Sequence, residues 1–377
     1  MKRVFGFIIA ISVLCTALWG CAPENEVPDG TEQPEAMSTP APAATEPAPV
    51  PTDIPVPTEA APEQTDVPTP EPTPEPETRF EFRPKVCSVY MEEVFGKTMC
   101  ETWYNLVDAV MAGEDTFACP DDHTYDWVMG QFPRRCFPVL TELIDYAYDR
   151  SDPVKDGVGS FTWLVPKEEA AERIAEFAEQ IEGILNEVLE HDWSDVEKAL
   201  ALYVYFSRTY EYDWDTYYKD LETPVDYTTT YRLFATGTGI CREVAPAYSY
   251  LLMQVGIDAT TMMGGAHEWS YVRIGGRNYH IDPTYALSEM DALAYFMMTD
   301  EQRETGLCSR DEFIITSNYS QENPHPDYAA DDDFFKPVWD YRFEKLSHDE
   351  KLIRCWRYAE GWQQEFFEFD YSDFDRE

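Results

Sequence analysis

Between Pro166 and Tyr210 the apolar residues recur every three or four positions, as they do on the buried face of a helix. The first such stripe consists of Ala170, Ile174, Phe177, Ile181, Leu185 and Val188. Ser194 and Glu197 then have the S-x-x-E spacing of a capping box, which marks the start of a second helix that ends near Tyr210. The pattern therefore predicts two consecutive amphipathic helices.

A third helix is predicted after the stretch GTGIC. Gly237 and Gly239 interrupt regular structure, and apolar positions follow at helical spacing until Gly256, a natural stop. Pro246 is tolerated only near the first turn of a helix, so this helix has to begin close to Cys241. The thiol would then lie beside unpaired backbone N–H groups and the positive end of the helix dipole, which favour a thiolate.

The stretch HEWSYVRIGGRNYHIDPTY predicts a β-hairpin with a two-residue turn at Gly275-Gly276. With that turn Ile274 faces Arg277. His267 and Trp269 then share one face of the sheet with Asp282, which is diagonal to His267. A slip of one residue would turn the carboxylate to the opposite face.

The rest of the pattern is weaker but still indicates an α+β fold. Short amphipathic stretches between Met91 and Asp149 favour helices, and residues 159–165 are a strand candidate. Residues 323–337 have the composition of a loop, and a second hairpin is expected to turn near Glu360-Gly361.

The N-terminal residues have the features of export. Lys2 and Arg3 precede an apolar run, Val4–Trp19, that is too short for a comfortable membrane span. The sequence LWGC is similar to a lipoprotein box, in which Cys21 would accept lipid. We therefore expect residues 1–21 to be a lipoprotein signal peptide and the protein to be extracytoplasmic, anchored to the cell membrane; plain secretion or an uncleaved anchor is the alternative.

Residues 22–78 have the composition of a disordered linker. Sixteen of these 57 residues are proline and none is aromatic or basic, so little apolar surface is available for a core. Fully extended as polyproline II, such a linker would span about 180 Å. That length suits a spacer between an anchor and a domain.

Charge excludes some partners. The whole chain carries a formal net charge of −44, and residues 79–377 contain 59 acidic against 26 basic side chains. A nucleic-acid partner would need a basic surface, and docking on anionic lipid is disfavoured for the same reason. Cofactors are not called for, and the run Asp331–Asp333 lacks the EF-hand pattern for calcium.

Cysteine spacing leaves the disulfides open. No C-x-x-C or Cys/His zinc spacing is present. If Cys241 stays free, six cysteines of the mature chain can pair in 15 ways: Cys87, Cys100, Cys119, Cys136, Cys308 and Cys355.

Cys241, His267 and Asp282 together suggest a site for nucleophilic catalysis. A thiol becomes a good nucleophile when a base activates it, and a third group has to orient the base. These residues offer a nucleophile, a base and an orienting carboxylate in the chain order of papain-like enzymes. His280 also lies on the hairpin and is the rival candidate for the base.

GTGIC, HEWSYVRIGGRNYHIDPT and the preceding ALYVYFSRTYEYD resemble the bacterial transglutaminase-like superfamily, from about Ser194 to Tyr285. The resemblance implies a papain-like fold and a catalytic triad of Cys241, His267 and Asp282. Gly239 and Trp269 would lie next to the triad. Two positions depart from the pattern, because Glu243 replaces a frequent small residue and Asn278 replaces a common aromatic one.

The expected organisation has five parts: the signal peptide 1–21, the linker 22–78, a helical lead-in 79–190, a transglutaminase-like core 191–300 and a C-terminal extension with a β-hairpin, 301–377. The expected activity is acyl transfer or amide hydrolysis on a protein or peptide, a cell-wall peptide among the candidates, by a monomer. The alternative is an inactive transglutaminase-like binding module at the cell surface.

Overall fold

A computed structural model describes residues 79–145, 153–225, 227–304, 313–315 and 328–374. The expected signal peptide with Cys21, the expected linker and Cys308 lie outside the described residues. Within the described part, no helix is long and apolar enough to cross a membrane.

The α-helices before the third predicted helix are α1 Val89–Phe95, α2 Lys97–Met111, α3 Asp122–Cys136, α4 Lys167–Val188, α5 Asp195–Thr209, α6 Trp214–Glu222 and α7 Thr230–Thr236. The later ones are α8 Cys241–Gln254, α9 Pro283–Ser288 and α10 Asp300–Arg303. The capping box forms as predicted, because the backbone N–H of Ser194 donates to the Glu197 carboxylate at 2.6 Å.

The strands are β1 Thr116–Ala118, β2 Val154–Lys155, β3 Val158–Ser160, β4 Glu211–Tyr212, β5 Thr238–Gly239, β6 Asp258–Gly264, β7 His267–Ile274, β8 Arg277–Ile281, β9 Ile314–Ile315, β10 Arg342–Ser347, β11 Leu352–Tyr358 and β12 Gln364–Asp370. They form four sheets, with the orders β1-β3-β2, β4-β5, β8-β7-β6-β9 and β10-β11-β12. The strand expected over 159–165 is shorter and ends at Ser160.

The sheet β8-β7-β6-β9 is antiparallel and packs against α8. Every residue of α8 from Glu243 to Gln254 is buried, which explains why its sequence is apolar on nearly all sides. The predicted register of the hairpin is confirmed, since Ile274 pairs with Arg277 and Tyr271 with His280. The expected mixed α and β fold is confirmed by this arrangement.

The second hairpin is also confirmed, with β11 and β12 flanking the turn at Glu360-Gly361. The sequence did not reveal that β10 adds a third strand to it. Nor did it reveal α6 and α7, which lie between the second and third predicted helices.

The first described residues form an N-terminal strap, Arg79–Arg83, that binds two helices through side-chain amides and a carboxylate. The backbone N–H and C=O of Phe80 bond to the side chain of Asn186 on α4, at 2.8 and 2.9 Å. Phe82 N donates to Glu182 of the same helix at 2.9 Å. Arg83 makes the same paired contact with Gln254, at the last position of α8, at 2.8 and 2.9 Å.

Candidate active site

Cys241 is the first residue of α8, as the position of Pro246 required. The helix starts with an extended residue, Ile240, whose backbone N–H donates to Glu243 at 2.9 Å. The thiol is partly exposed, whereas the rest of the helix from Glu243 onward is buried. Cys241 is therefore the point where the buried helix reaches a surface cleft.

Glu243 stabilises the start of α8 through a buried ion pair. Its carboxylate is completely buried and accepts two hydrogen bonds from the guanidinium of Arg232 on α7, at 2.8 and 2.7 Å. Arg232 also pairs with Asp213 at 2.9 Å. Burial raises the pKa of Asp213, but Thr216 and Arg232 outweigh it and lower the pKa to about 2. The departure at Glu243 is thus a structural ion pair.

Gly239 occupies a position with little room for a side chain. A Cβ atom there would lie 3.0 Å from the Leu233 side chain and 3.2 Å from Glu243 Cβ. Its carbonyl accepts from the backbone N–H of Asp213 at 3.0 Å. This glycine allows the chain before Cys241 to pass close to α7 and α8.

His267 and Asp282 meet, as the hairpin register predicts. His267 Nε2 lies 2.8 Å from Asp282 Oδ2, which leaves Nδ1 as the other ring nitrogen. Asp282 is fully buried and also caps α9, because Oδ1 accepts from the backbone N–H groups of Thr284 and Tyr285 at 3.1 and 3.2 Å. The carboxylate is therefore fixed before it orients the imidazole.

His267 and Asp282 each stabilise the charged form of the other. Burial alone would lower the pKa of His267, but the Asp282 carboxylate and contact with Cys241 raise it to about 10. Burial would likewise raise the pKa of Asp282, but His267 and the nearby Arg303 lower it. At neutral pH the site therefore holds an imidazolium against a carboxylate.

His280 has a different environment from His267. Its Nδ1 accepts from the indole N–H of Trp269 at 2.8 Å, and its Nε2 lies 2.9 Å from Asp300. The ring is completely buried. Both nitrogens thus bond to groups other than Cys241, and the geometry favours His267 over His280 as its neighbour.

Trp269 and Arg303 pack behind the pair. The guanidinium of Arg303 lies 4.0 Å from the centroid of the Trp269 ring and 3.6 Å from Asp282 Oδ2. Arg303 is a site residue that sequence reasoning missed, because nothing in its local sequence connects it with Asp282. Asn278, the other departure, accepts from the hydroxyl of Tyr90 at 2.6 Å at the far end of β8.

The cleft in front of Cys241 is a cavity of about 230 Å³ with an aromatic wall. Its lining residues are Tyr212, Trp214, Tyr217, Cys241, Gly265, Ala266, His267, Thr284, Tyr285 and Ser288. The Tyr285 ring lies parallel to the imidazole of His267, with centroids 4.8 Å apart. Sequence reasoning missed this wall, although the aromatic run YEYDWD ahead of GTGIC was its signal.

Tyr212 is the member of the wall nearest the helix start. Burial raises the pKa of its phenol, and the charge of Cys241 raises it further, while a hydrogen bond from the Cys241 backbone opposes the rise. The hydroxyl therefore keeps its proton at neutral pH beside a backbone N–H. The Cys241 backbone N–H and the Tyr212 hydroxyl therefore lie next to each other at this point of the cleft.

Two further features bear on the chemistry. Among the described residues, no group of three or more His, Cys, Asp or Glu side chains is placed to hold a metal ion. A larger cavity of about 570 Å³, lined by Asp300, Asp331 and Asp333 among others, has no cysteine, serine or histidine in its lining. The chemistry is therefore best sought in the cleft at Cys241.

A comparison with protein families agrees with the sequence resemblance. A profile of the transglutaminase-like superfamily matches residues 182–285. A crystal structure of a candidate cysteine protease from Cytophaga hutchinsonii is 22% identical over 23% of this chain and 30% of its own length, with a TM-score of 0.20. No curated protein matches. The profile match covers both sides of the cleft, and residues 182–285 are a domain of the transglutaminase-like superfamily.

Proposed function

We propose that the cleft carries out cysteine-dependent acyl transfer or amide hydrolysis on a peptide or protein. The observation that carries the proposal is the 2.8 Å contact between His267 and Asp282 in a cleft that also exposes Cys241 at a helix start. A nucleophile, a base and an orienting group are the minimum set for this chemistry. Each of the three comes from a different element.

In the first step the thiolate of Cys241, whose proton is held by His267, forms a bond from Sγ to the carbonyl carbon of an amide. His267, protonated at neutral pH, gives its proton to the departing amine as the C–N bond breaks. A thioester on Cys241 remains. Water or a primary amine then attacks the thioester, His267 takes its proton, and the acid or the new amide leaves.

The tetrahedral intermediate carries a negatively charged oxygen, which hydrogen-bond donors have to stabilise. The backbone N–H of Cys241 lies at the N-terminus of α8, where it has no partner within the helix. The Tyr212 hydroxyl is the second donor, because burial keeps it protonated beside that backbone.

The test is the Cys241→Ala variant together with a thiol-alkylating probe near neutral pH. We expect the parent to react at Cys241, with the position established by peptide mapping, and the variant to lose both labelling and turnover of a glutamine peptide. The circular dichroism spectrum should not change, because a partly exposed thiol contributes little packing. Mass spectrometry separates hydrolysis, a deamidated peptide, from transfer, an amine adduct.

The control is Cys355→Ala, because Cys355 is a buried cysteine that lies outside the cleft. This variant should keep labelling at Cys241 and keep its turnover. An active Cys241→Ala variant would show that the nucleophile is misassigned. A parent without labelling or turnover would favour the binding module instead.

We further propose that the protein is extracytoplasmic and anchored by lipid on Cys21. The support is the sequence alone, a basic start, a short apolar run and the box LWGC. A Cys21→Ser variant should move from the membrane fraction to the soluble exported fraction, and protease should release the domain from intact parent cells. Parent protein in the cytosol with Met1 attached would refute export.

A further inference from the structure

Helix α6 reverses the usual orientation of an amphipathic helix. Trp214, Tyr217, Tyr218 and Leu221 are spaced i, i+3, i+4 and i+7, and therefore lie along one face, which we name the α6 stripe. Such a face normally packs on the core. Here Trp214 is 52% exposed, Tyr218 60% and Leu221 65%, and Thr216 is the one buried residue of the helix.

The α6 stripe begins inside the cleft. Trp214 and Tyr217 line the same cavity as Cys241. The Trp214 ring contacts Tyr217 at 5.8 Å between centroids and Tyr218 at 6.0 Å. The apolar surface therefore continues without a break from the nucleophile to the outer end of the helix.

Ion pairs hold the stripe in place. Asp213 caps α6 by accepting from Thr216 N at 2.9 Å, and it pairs with Arg232, the residue that supports the start of α8. Asp220, near the other end of α6, pairs with Arg242 at 2.9 Å. Because Arg242 follows Cys241 directly, both ends of α6 are tied to the helix that carries the nucleophile.

We propose that the α6 stripe is a substrate subsite, which binds an apolar or aromatic side chain of the peptide whose amide reacts at Cys241. The inference rests on the proposed function. Seven helical residues span about 10 Å, which equals about three residues of extended peptide. The recognised side chain therefore lies about three residues from the reacting amide.

The size and charge of the surface support a peptide. Three side chains exposed by more than half, together with the partly buried Tyr217, present roughly 400 Å², about half of what each partner contributes to a stable protein dimer. The excess of acidic over basic residues from 79 to 377, 59 against 26, disfavours an anionic ligand. Trp214 and Tyr217 meet at 90°, so they form a pocket-like edge and not the flat platform that a sugar ring needs.

The experiment measures binding to the Cys241→Ala chain, in which turnover cannot interfere. The probes are acetylated, amidated heptapeptides with one glutamine and one phenylalanine, one to four residues apart on either side, and the same peptides with serine for phenylalanine. We expect the phenylalanine peptides to bind about tenfold more tightly, most strongly near a spacing of three. Adding Tyr218→Ser and Leu221→Ser should reduce this preference to about twofold or less.

Trp362→Ser is the matched control, because Trp362 is an 82% exposed aromatic residue beside the β11–β12 turn. It should leave the preference unchanged. Equal affinity for phenylalanine and serine peptides would overturn the subsite. So would a parent dimer in sedimentation that dissociates in the Tyr218→Ser, Leu221→Ser variant, or binding of N-acetylglucosamine oligomers in place of the peptides.

Turnover of the same peptides by the parent separates the two proposals. A parent that binds with the preference but turns over no peptide contradicts the proposed chemistry and leaves the subsite standing. A parent that turns over both peptide sets equally, without a binding preference, leaves the chemistry standing and removes the subsite.

Discussion

The two oxygens of Asp282 serve two different structures. Oδ1 caps α9 through Thr284 and Tyr285, and Oδ2 accepts from His267. The backbone N–H groups at the start of α9 hold the carboxylate in place, and the carboxylate in turn holds the imidazole of His267. The position of the imidazole therefore depends on this backbone. Asp282 precedes Pro283 at the start of α9, so one residue both caps this helix and orients the imidazole.

The substitution Asp282→Asn should affect the orientation of His267 more strongly than the capping of α9. The amide oxygen can still cap α9, but the variant loses the negative charge facing His267 and Arg303. We expect kcat to fall by about 10⁴-fold and the free energy of unfolding to fall by about 1–3 kcal/mol. Peptide turnover and urea unfolding measure the two effects.

Asp300→Asn is the control, since Asp300 makes the equivalent contact with His280 at 2.9 Å outside the cleft. It should lower stability and leave most of the turnover. An equal loss of turnover in both variants would mean that His280 takes part in the reaction.

Stability should depend on pH through His267. Its pKa is raised from 6.5 to about 10, so its stabilising contribution is complete below about pH 6.5 and is lost as pH rises through 10. The pKa of Asp282 is lowered, so its contribution is present above its ordinary value of 3.8 and is lost as pH falls further. The Tm difference between parent and His267→Gln should therefore be largest near pH 5–6 and shrink towards pH 10. A difference that grows with pH would contradict the ion pair.

Tyr212→Phe tests the second donor. Removing the hydroxyl should lower kcat by about 10²-fold and leave KM nearly unchanged, because the bond matters only once the negative oxygen has formed. Tyr217→Phe is the control within the same wall. A rise in KM without a fall in kcat would instead make Tyr212 a substrate-binding residue.

Among the elements, the β7–β8 hairpin was the most predictable. Two adjacent glycines between alternating strands determine both the turn and the register, and both residues of the turn have positive φ angles, 58° and 73°. The register then brings His267 to Asp282. Local sequence was sufficient because a two-residue turn leaves little choice in pairing.

Inserting one glycine between Gly275 and Gly276 should abolish turnover, because it can shift the register and turn Asp282 away from His267. The same insertion between Glu360 and Gly361 is the control, since it alters the β11–β12 turn. That second variant should keep its turnover. Equal turnover by the two variants would show that the β7–β8 turn does not set the geometry of the site.

Helix α6 was not predictable from pattern, because Trp214, Tyr218 and Leu221 are exposed and do not pack on the core. Helix α7 does bury Leu233 and Phe234, but its seven residues are too few to show a clear helical period, and it is held by the ion pair of Arg232 with Glu243. Long-range contacts of this kind, such as that of Arg303 with Asp282, have no local signature. The aromatic wall had one in the run YEYDWD, but the spacing of the run did not show that it faces Cys241.

Contacts between α2 and the segment before α1 reduce the number of disulfide pairings that have to be considered. Cys87 Sγ lies 2.7 Å from Cys100 Sγ, and Cys136 is also in contact with Cys87. We expect an oxidant such as a small disulfide to join Cys87 to Cys100, as two thiols lose their hydrogens. Non-reducing peptide mapping should find this pair, and Cys100→Ala should lower Tm by several degrees under oxidising conditions. Cys355→Ala is the control, and a Cys87–Cys136 bridge in the parent would contradict the pairing.

On the scale of the whole molecule, composition predicts where one part of the chain ends and the next begins. It does not predict how the residues within a part pack. The proline-rich stretch 22–78 and the aromatic-rich remainder differ so strongly that the change at Arg79 is evident in sequence. The packing of the remainder depends on contacts across more than 100 residues, such as Arg83 with Gln254. Such contacts are fixed by tertiary packing, which periodicity does not encode.

The N-terminal strap also determines how the domain would respond to mechanical force. A pull applied at Arg79 loads the bonds at Asn186 first, then Glu182, and only then Gln254, so they open one after another. Gln254 is at the end of α8 opposite Cys241, about 20 Å away along the helix axis. Tension on the chain would peel the strap before it reached the nucleophile, and the cleft would keep its shape under load.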